Sequence, residues 1–159
     1  MGRKKRRKIV ILTEFTVYGL PAQSGSKTPI PYHKPDGSLG VRTFDASKRM
    51  KPWKNQVSWA ACKVYKRPVF RNAVRLEIIF YLPRPKNQFK IRKGATSGIL
   101  KDWAPPYPIV TPDLTKLVRC LEDALKGIIW KDDSQVVEQE TRKLYGEVPR
   151  AEVKILGIE

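Results

Sequence analysis

The sequence predicts a small mixed α+β domain in which about four main strands pack with two helices in a single unit. Two observations carry that expectation. A chain of 159 residues can bury one respectable core and has no need of a second. Some stretches alternate apolar and polar residues, the period of a half-buried strand, while others repeat apolar residues at the period of a helix. With 41% hydrophobic and 30% charged residues, the charge decorates a folded body rather than replacing it.

Along the chain, residues 3–8 read RKKRRK, and residues 1–9 are expected to form a solvated basic tail ahead of a domain over 10–159. From Val10 to Val17 the side chains Ile11, Phe15 and Val17 alternate with Glu14 and Thr16, a strand closed by Gly19 and Pro21. Residues 21–46 show no period and are expected to be a long loop with a small hairpin around Asp36-Gly37, whose Ser24, Lys27 and Lys34 could touch phosphate. Trp53, Val57, Ala60, Ala61 and Val64 then recur at helical spacing from a start near Lys51-Pro52, with Trp53 read as core.

Val74, Leu76, Ile78 and Phe80 form one face of a second strand, expected to be central. Its other face carries Ile79 and Tyr81, which suggests cover by a helix or a second subunit. Residues 83–112 hold six of the 13 prolines and read as a long basic loop. Its Arg84, Lys86, Lys90, Arg92 and Lys93 suit phosphate, and Phe89, Trp103 and Tyr107 suit stacking on unpaired bases. A second helix is expected from Pro112 to Lys126, with Thr111 as N-cap, Pro112 in the first position and Gly127 as the stop. A strand-like VVEQETRKLY follows, and further strand closes the chain.

The net charge of +17 favours a polyanionic partner. It is unevenly spread, with 24 Lys and Arg against four acids in residues 1–101, then eight against 11 in residues 102–159. Seven of the 15 acids fall between Asp113 and Glu140, where they would hinder simple DNA binding. Carboxylates that face phosphates usually need a metal between them. The two cysteines and single His33 lack any zinc spacing, and the thiols suit a reducing compartment. No apolar run approaches a bilayer span and the start fits neither a secretory signal nor myristoylation, so a cytoplasmic location without membrane contact is expected.

Asp113, Asp132 and Asp133 are therefore candidate ligands for Mg²⁺, or for Mn²⁺ in its place. A helix of about 14 residues is about 21 Å long and about six extended residues cover about 20 Å, so the chain returning from the helix could set Asp133 beside Asp113. Arg119 is the candidate cation for transition-state charge, and Lys116 a further DNA contact. Asp123 has a plainer reading as a surface partner of Lys126 or Arg119.

Three ordered blocks, Pro112-Asp113-Leu114 with Leu117, Glu122-Asp123-Ala124-Leu125 with Gly127, and Trp130 with Asp132-Asp133-Ser134-Gln135-Val136, closely resemble the pattern of RusA-like Holliday-junction resolvases. Weaker similarity extends to Gly19-x-Pro21, the FDASK stretch and the last strands. The resemblance implies a homodimer that binds branched DNA, four-way junctions above all, and makes paired Mg²⁺-dependent nicks in recombination and repair. It places the catalytic acids at Asp113 and Asp133, and phage or prophage origin would fit. Two departures stand out. Thr115 occupies the position of the family's usual third acid, and Arg119 that of its usual lysine, keeping the charge as a planar fork. A non-catalytic junction-binding module and a flap- or fork-specific nuclease remain the alternatives.

Overall fold

In a computed structural model, residues 7–25, 27–45, 48–90 and 98–159 are described, without the side chains of 27–28 and 42–45. They form β1 (Ile9–Tyr18), β2 (Lys27–His33), β3 (Leu39–Asp45), α1 (Met50–Val64), β4 (Ala73–Leu82), β5 (Phe89–Lys90), β6 (Ile99–Leu100), α2 (Leu114–Leu125), β7 (Val136–Tyr145) and β8 (Arg150–Ile158). The main sheet has the order β1-β8-β4-β7, antiparallel except for the β4–β7 pair. A parallel pair needs a long crossover, and residues 83–135 supply it with α2 inside.

The expected small α+β domain, four main strands with two helices, is the one observed. β4 runs between β8 and β7, and its Val74, Leu76, Ile78, Phe80 and Leu82 all point into the core. The first four meet Trp53, Val57 and Ala61 of α1 and Leu117, Leu121 and Leu125 of α2 in one cluster. Trp53 is core, as its spacing indicates, whereas Val64 is exposed at the end of α1.

Among the described residues, no helix covers the opposite face of the sheet, which carries a lattice of charge. Arg75 reaches Glu77, Glu138 and Glu140 at 3.0–3.4 Å, Lys154 pairs with Glu77 at 3.6 Å, and the Arg150 guanidinium lies 3.7 Å from the Tyr81 ring centre. Paired charges keep the rows around Ile79 and Tyr81 compatible with water.

Residues 21–46 hold more strand than their composition suggests. β2 and β3 form a hairpin separate from the main sheet, where Pro29 and Pro31 are tolerated because little else pairs with it. Its turn is the expected Asp36-Gly37, with Gly37 at φ +81° and the Asp36 carboxylate accepting from Ser38 N–H and Oγ. Within 83–112, β5 pairs with β6 beyond a 3₁₀ turn at Lys86–Gln88, so this stretch is partly ordered by its own backbone. Among the described residues, no helix is long and apolar enough to cross a membrane.

Candidate active site

α2 begins two residues later than its sequence signals suggest. Asp113, not Thr111, is the N-cap residue; Pro112 precedes the helix, and the Thr111–Pro112 peptide is cis. The Asp113 carboxylate makes no cap bond and instead pairs with Lys116 at 3.1 Å. The Asp113 N–H donates to Gln23 Oε1 at 2.7 Å, which ties the chain after β1 to the start of α2. Lys143 of β7 donates to the carbonyls of Val110 and Pro112, at 2.8 and 2.9 Å, fixing the approach to Asp113. A shallow pocket of about 240 Å³ beside it is lined by residues that include Gln23, Arg49 and Pro112. Neither Lys143 nor Arg49 was legible as lying near Pro112, since each is more than 25 residues away with no motif around it.

At the other end of α2 the chain turns at once. Gly127, at φ +79°, ends the helix as expected, its N–H donating to the Trp130 carbonyl, and the N–H groups of Ile128 and Ile129 return to Leu125. Fully buried Ile129 and Trp130 pin this turn to the core. Asp132 then caps a 3₁₀ turn over Asp133–Gln135, accepting from Ser134 N–H in a capping box closed by Gln135. The Gln135 side chain also donates to the carbonyls of Phe70 and Asn72.

This arrangement corrects the expectation that the chain returning from α2 sets Asp133 beside Asp113. Residues 127–130 are folded tightly and cover no distance along the helix; β7 makes the return journey. Its Gln139 meets Glu122 and its Lys143 meets Pro112, so β7 runs antiparallel to α2. Asp133 stays at the C-terminal end with Lys126 at 3.8 Å, and Asp113 lies at the other end of a 12-residue helix, about 18 Å long. Among the described residues of one chain, no group of three or more His, Cys, Asp or Glu could hold a metal ion. The carboxylates suit Mg²⁺ by chemistry, but one chain does not gather them into a single ligand shell.

The electrostatics of the C-terminal end are nonetheless unusual. Trp130 Nε1–H donates to Asp133 Oδ1 at 3.1 Å. Asp132 bonds Lys126 at 2.7 Å, and that contact, with the Ser134 hydrogen bonds, holds its carboxyl well below the usual range. Burial pushes the Glu122 carboxyl up to about 7, and the nearby Asp133 and Asp123 carboxylates add to the rise. Glu122 thus belongs to the Asp133 end, a neighbour that its distance from Thr115 along the helix conceals. Asp123 is paired with neither Lys126 nor Arg119; its partner is Lys54 of α1 at 2.7 Å. Thr115 and Arg119 lie on the exposed ridge of α2 between the two ends.

The candidate DNA contacts divide. Arg84 is half-buried, its Nη1 donating to Gln88 Oε1 and the Pro105 carbonyl and its guanidinium lying over the Tyr145 ring. Lys86 stands in the 3₁₀ turn, Lys90 pairs with Asp102 at 3.8 Å, and Lys116 faces Asp113. Trp103 and Tyr107 are exposed, and Phe89 is partly covered. Arg92, Lys93 and the side chain of Lys27 lie outside the described residues.

The family model described as endodeoxyribonuclease RusA matches residues 27–156, which include both ends of α2 and most of the chain. The chain belongs to the RusA family. The uncharacterized protein YqaN of Bacillus subtilis (strain 168) is 34% identical over 148 residues, covering 89% of this chain and 94% of that protein. Membership of the RusA family makes the coarse activity that of an endodeoxyribonuclease of the Holliday-junction-resolvase type, a hydrolase of DNA phosphodiester bonds.

Proposed function

We propose that this RusA-family chain is a homodimeric, Mg²⁺-dependent nuclease that binds four-way DNA junctions and nicks them symmetrically, in recombination and repair. The observation that carries the reading is the placement of Asp113 and Asp133 at opposite ends of one helix whose ridge, through Thr115 and Arg119, is exposed. Two copies related by a two-fold axis can lay their α2 helices antiparallel. Asp113 of one protomer then approaches the end of α2 that carries Asp132 and Asp133 in its partner.

Asp113, Asp133 and Asp132 would hold Mg²⁺, or Mn²⁺, and the ion would supply Lewis-acid polarisation of the scissile phosphate and a hydroxide-like nucleophile. The chain's own groups do the rest. Trp130 orients the Asp133 carboxylate, Lys143 and Gln23 hold the backbone at Asp113, and Arg119 offsets phosphate charge. Lys116, Lys126 and Lys143 flank the acids and would draw the phosphate backbone towards them. Lys27, Arg84, Lys86, Lys90, Arg92 and Lys93 are proposed to contact the arms of the junction.

A synthetic four-way junction with Mg²⁺ tests the reading, with wild type beside Asp133→Asn. Wild type nicks the junction; the variant binds it but loses at least about a thousandfold in rate, as expected for removing a metal-anchoring carboxylate. Absence of nicking by wild type with every divalent metal tried, Mn²⁺ included, would falsify the proposal and leave a junction-binding module.

A further inference from the structure

We propose that the outward face of α1 is a docking surface for the phosphate backbone of a duplex DNA arm, distinct from the acids at the ends of α2. The inference rests on the DNA-processing reading above and extends it to a surface outside that site.

α1 buries Met50, Trp53, Val57 and Ala61. The opposite side therefore presents Lys51, Asn55, Trp59 and Lys63, each four residues after the last and all exposed, as one ridge. Lys66 and Arg67 extend it beyond the helix end. Trp59 is 67% exposed, a large ring in water that adds little to the core, and the Lys63 ammonium stands 4.9 Å from its centre. A flat aromatic with a cation over it suits the sugar-phosphate surface, where the ring packs on sugar and the ammonium meets phosphate.

The charge around this ridge is one-sided. Residues 46–76 hold nine Lys and Arg and no acid. Lys54 is neutralised by Asp123 and Arg75 by the acids of the open sheet face. Among the described residues, Lys51, Lys63, Lys66 and Arg67 make no ion pair, and Lys66 gives one hydrogen bond to the Cys62 carbonyl, so no acid offsets their charge before an outside partner arrives. A second copy is a poor occupant, because apposed ridges would set lysine against lysine. The 15-residue helix is about 22 Å long, and duplex DNA carries a phosphate charge about every 1.7 Å of its axis, so such an arm meets the whole ridge.

The ridge is also in fixed register with the candidate site. Beyond α1 the Phe70 N–H donates to the Ile129 carbonyl at 2.8 Å, and Phe70 pairs with Trp130, whose indole holds Asp133. An arm lying along α1 is thereby positioned against the acidic end of α2.

The test measures binding by the full chain without divalent metal, so that affinity is read apart from cleavage. The probes are a four-way junction, a blunt duplex and a single-stranded oligonucleotide. Lys63→Glu with Lys66→Glu should weaken junction and duplex binding by about tenfold or more and flatten the slope of log affinity against log salt by about two. Circular dichroism should remain that of wild type. Duplex should quench a tryptophan emission that is missing from Trp59→Phe, a comparison that removes the signal of exposed Trp103. Unchanged affinity and slope in the charge-reversed protein, or equal quenching in Trp59→Phe, would overturn the proposal. So would stronger quenching of Trp59 by single strand than by duplex, or a Trp59 signal that follows protein concentration in the absence of DNA. If wild type binds duplex through this face yet never nicks a junction, the docking surface stands and the nuclease reading falls.

Discussion

Asp133 takes an indole hydrogen bond on one oxygen and has Lys126 near the other, so its orientation is set before any ligand arrives. Trp130→Phe keeps a large ring in the core but removes the Nε1–H donor. Nicking should fall by about tenfold, as for a carboxylate that has lost its orienting partner, while junction affinity stays unchanged. Equal rates in the two proteins would show that the indole only packs. Glu122 supplies a pH dependence. Its carboxyl titrates near 7 in the fold rather than at its ordinary value because burial and two neighbouring acids oppose the charge. A raised carboxyl stabilises the fold while protonated, so its contribution is full below the ordinary carboxyl range and disappears as pH rises through about 7. Wild type should lose Tm between about pH 5 and about pH 8, whereas Glu122→Gln, always neutral, should lose less and be the more stable at the alkaline end. A steeper loss in the variant would contradict this account.

At the scale of elements, the junction between α2 and β7 decides where the second acid stands. Gly127 permits the left-handed residue that lets the chain turn within one step of the helix end. Gly127→Ala should cost about 1 kcal/mol by thermal unfolding, from backbone strain alone, since nothing lies within 4 Å of the added carbon. A neutral result would mean that the turn relaxes to another conformation. The same element explains what the sequence concealed. Gly127 marks the stop in any reading, but whether the residues after it extend or fold depends on Ile129 and Trp130 finding room in the core. Likewise Thr111 reads as the cap along the chain, whereas the position falls to Asp113, with Lys116, Gln23 and Lys143 meeting the chain there.

For the molecule as a whole, Asp113 and Asp133 lie at opposite ends of α2, and in the proposed reading a two-fold partner brings the two acids together. Asp113→Asn and Asp133→Asn proteins should each be inactive alone. Mixed under conditions of subunit exchange, they should regain up to about half of the wild-type specific nicking in each heterodimer, since one of its two sites then holds both native acids. Continued inactivity of a mixture shown to exchange would place both acids of each site in one chain.

The fold class, the central β4, the inward face of α1, the stop at Gly127 and the blocks that match the RusA family are all legible along the chain. Each of these depends on residues close together along the chain, through periodicity, turn chemistry or motif spacing. Which distant groups meet depends on the packed chain. Packing sends Asp133 to the far end of α2 from Asp113, gives Asp123 to Lys54, ties Arg84 to the Pro105 carbonyl and brings Lys143 to the approach of Asp113. It also leaves Trp59 in water while burying Trp53 six residues earlier on the same helix. The physical reason is that burial and charge pairing are properties of packed surfaces, and the path that α2 and β7 take past one another is set by the core beneath them.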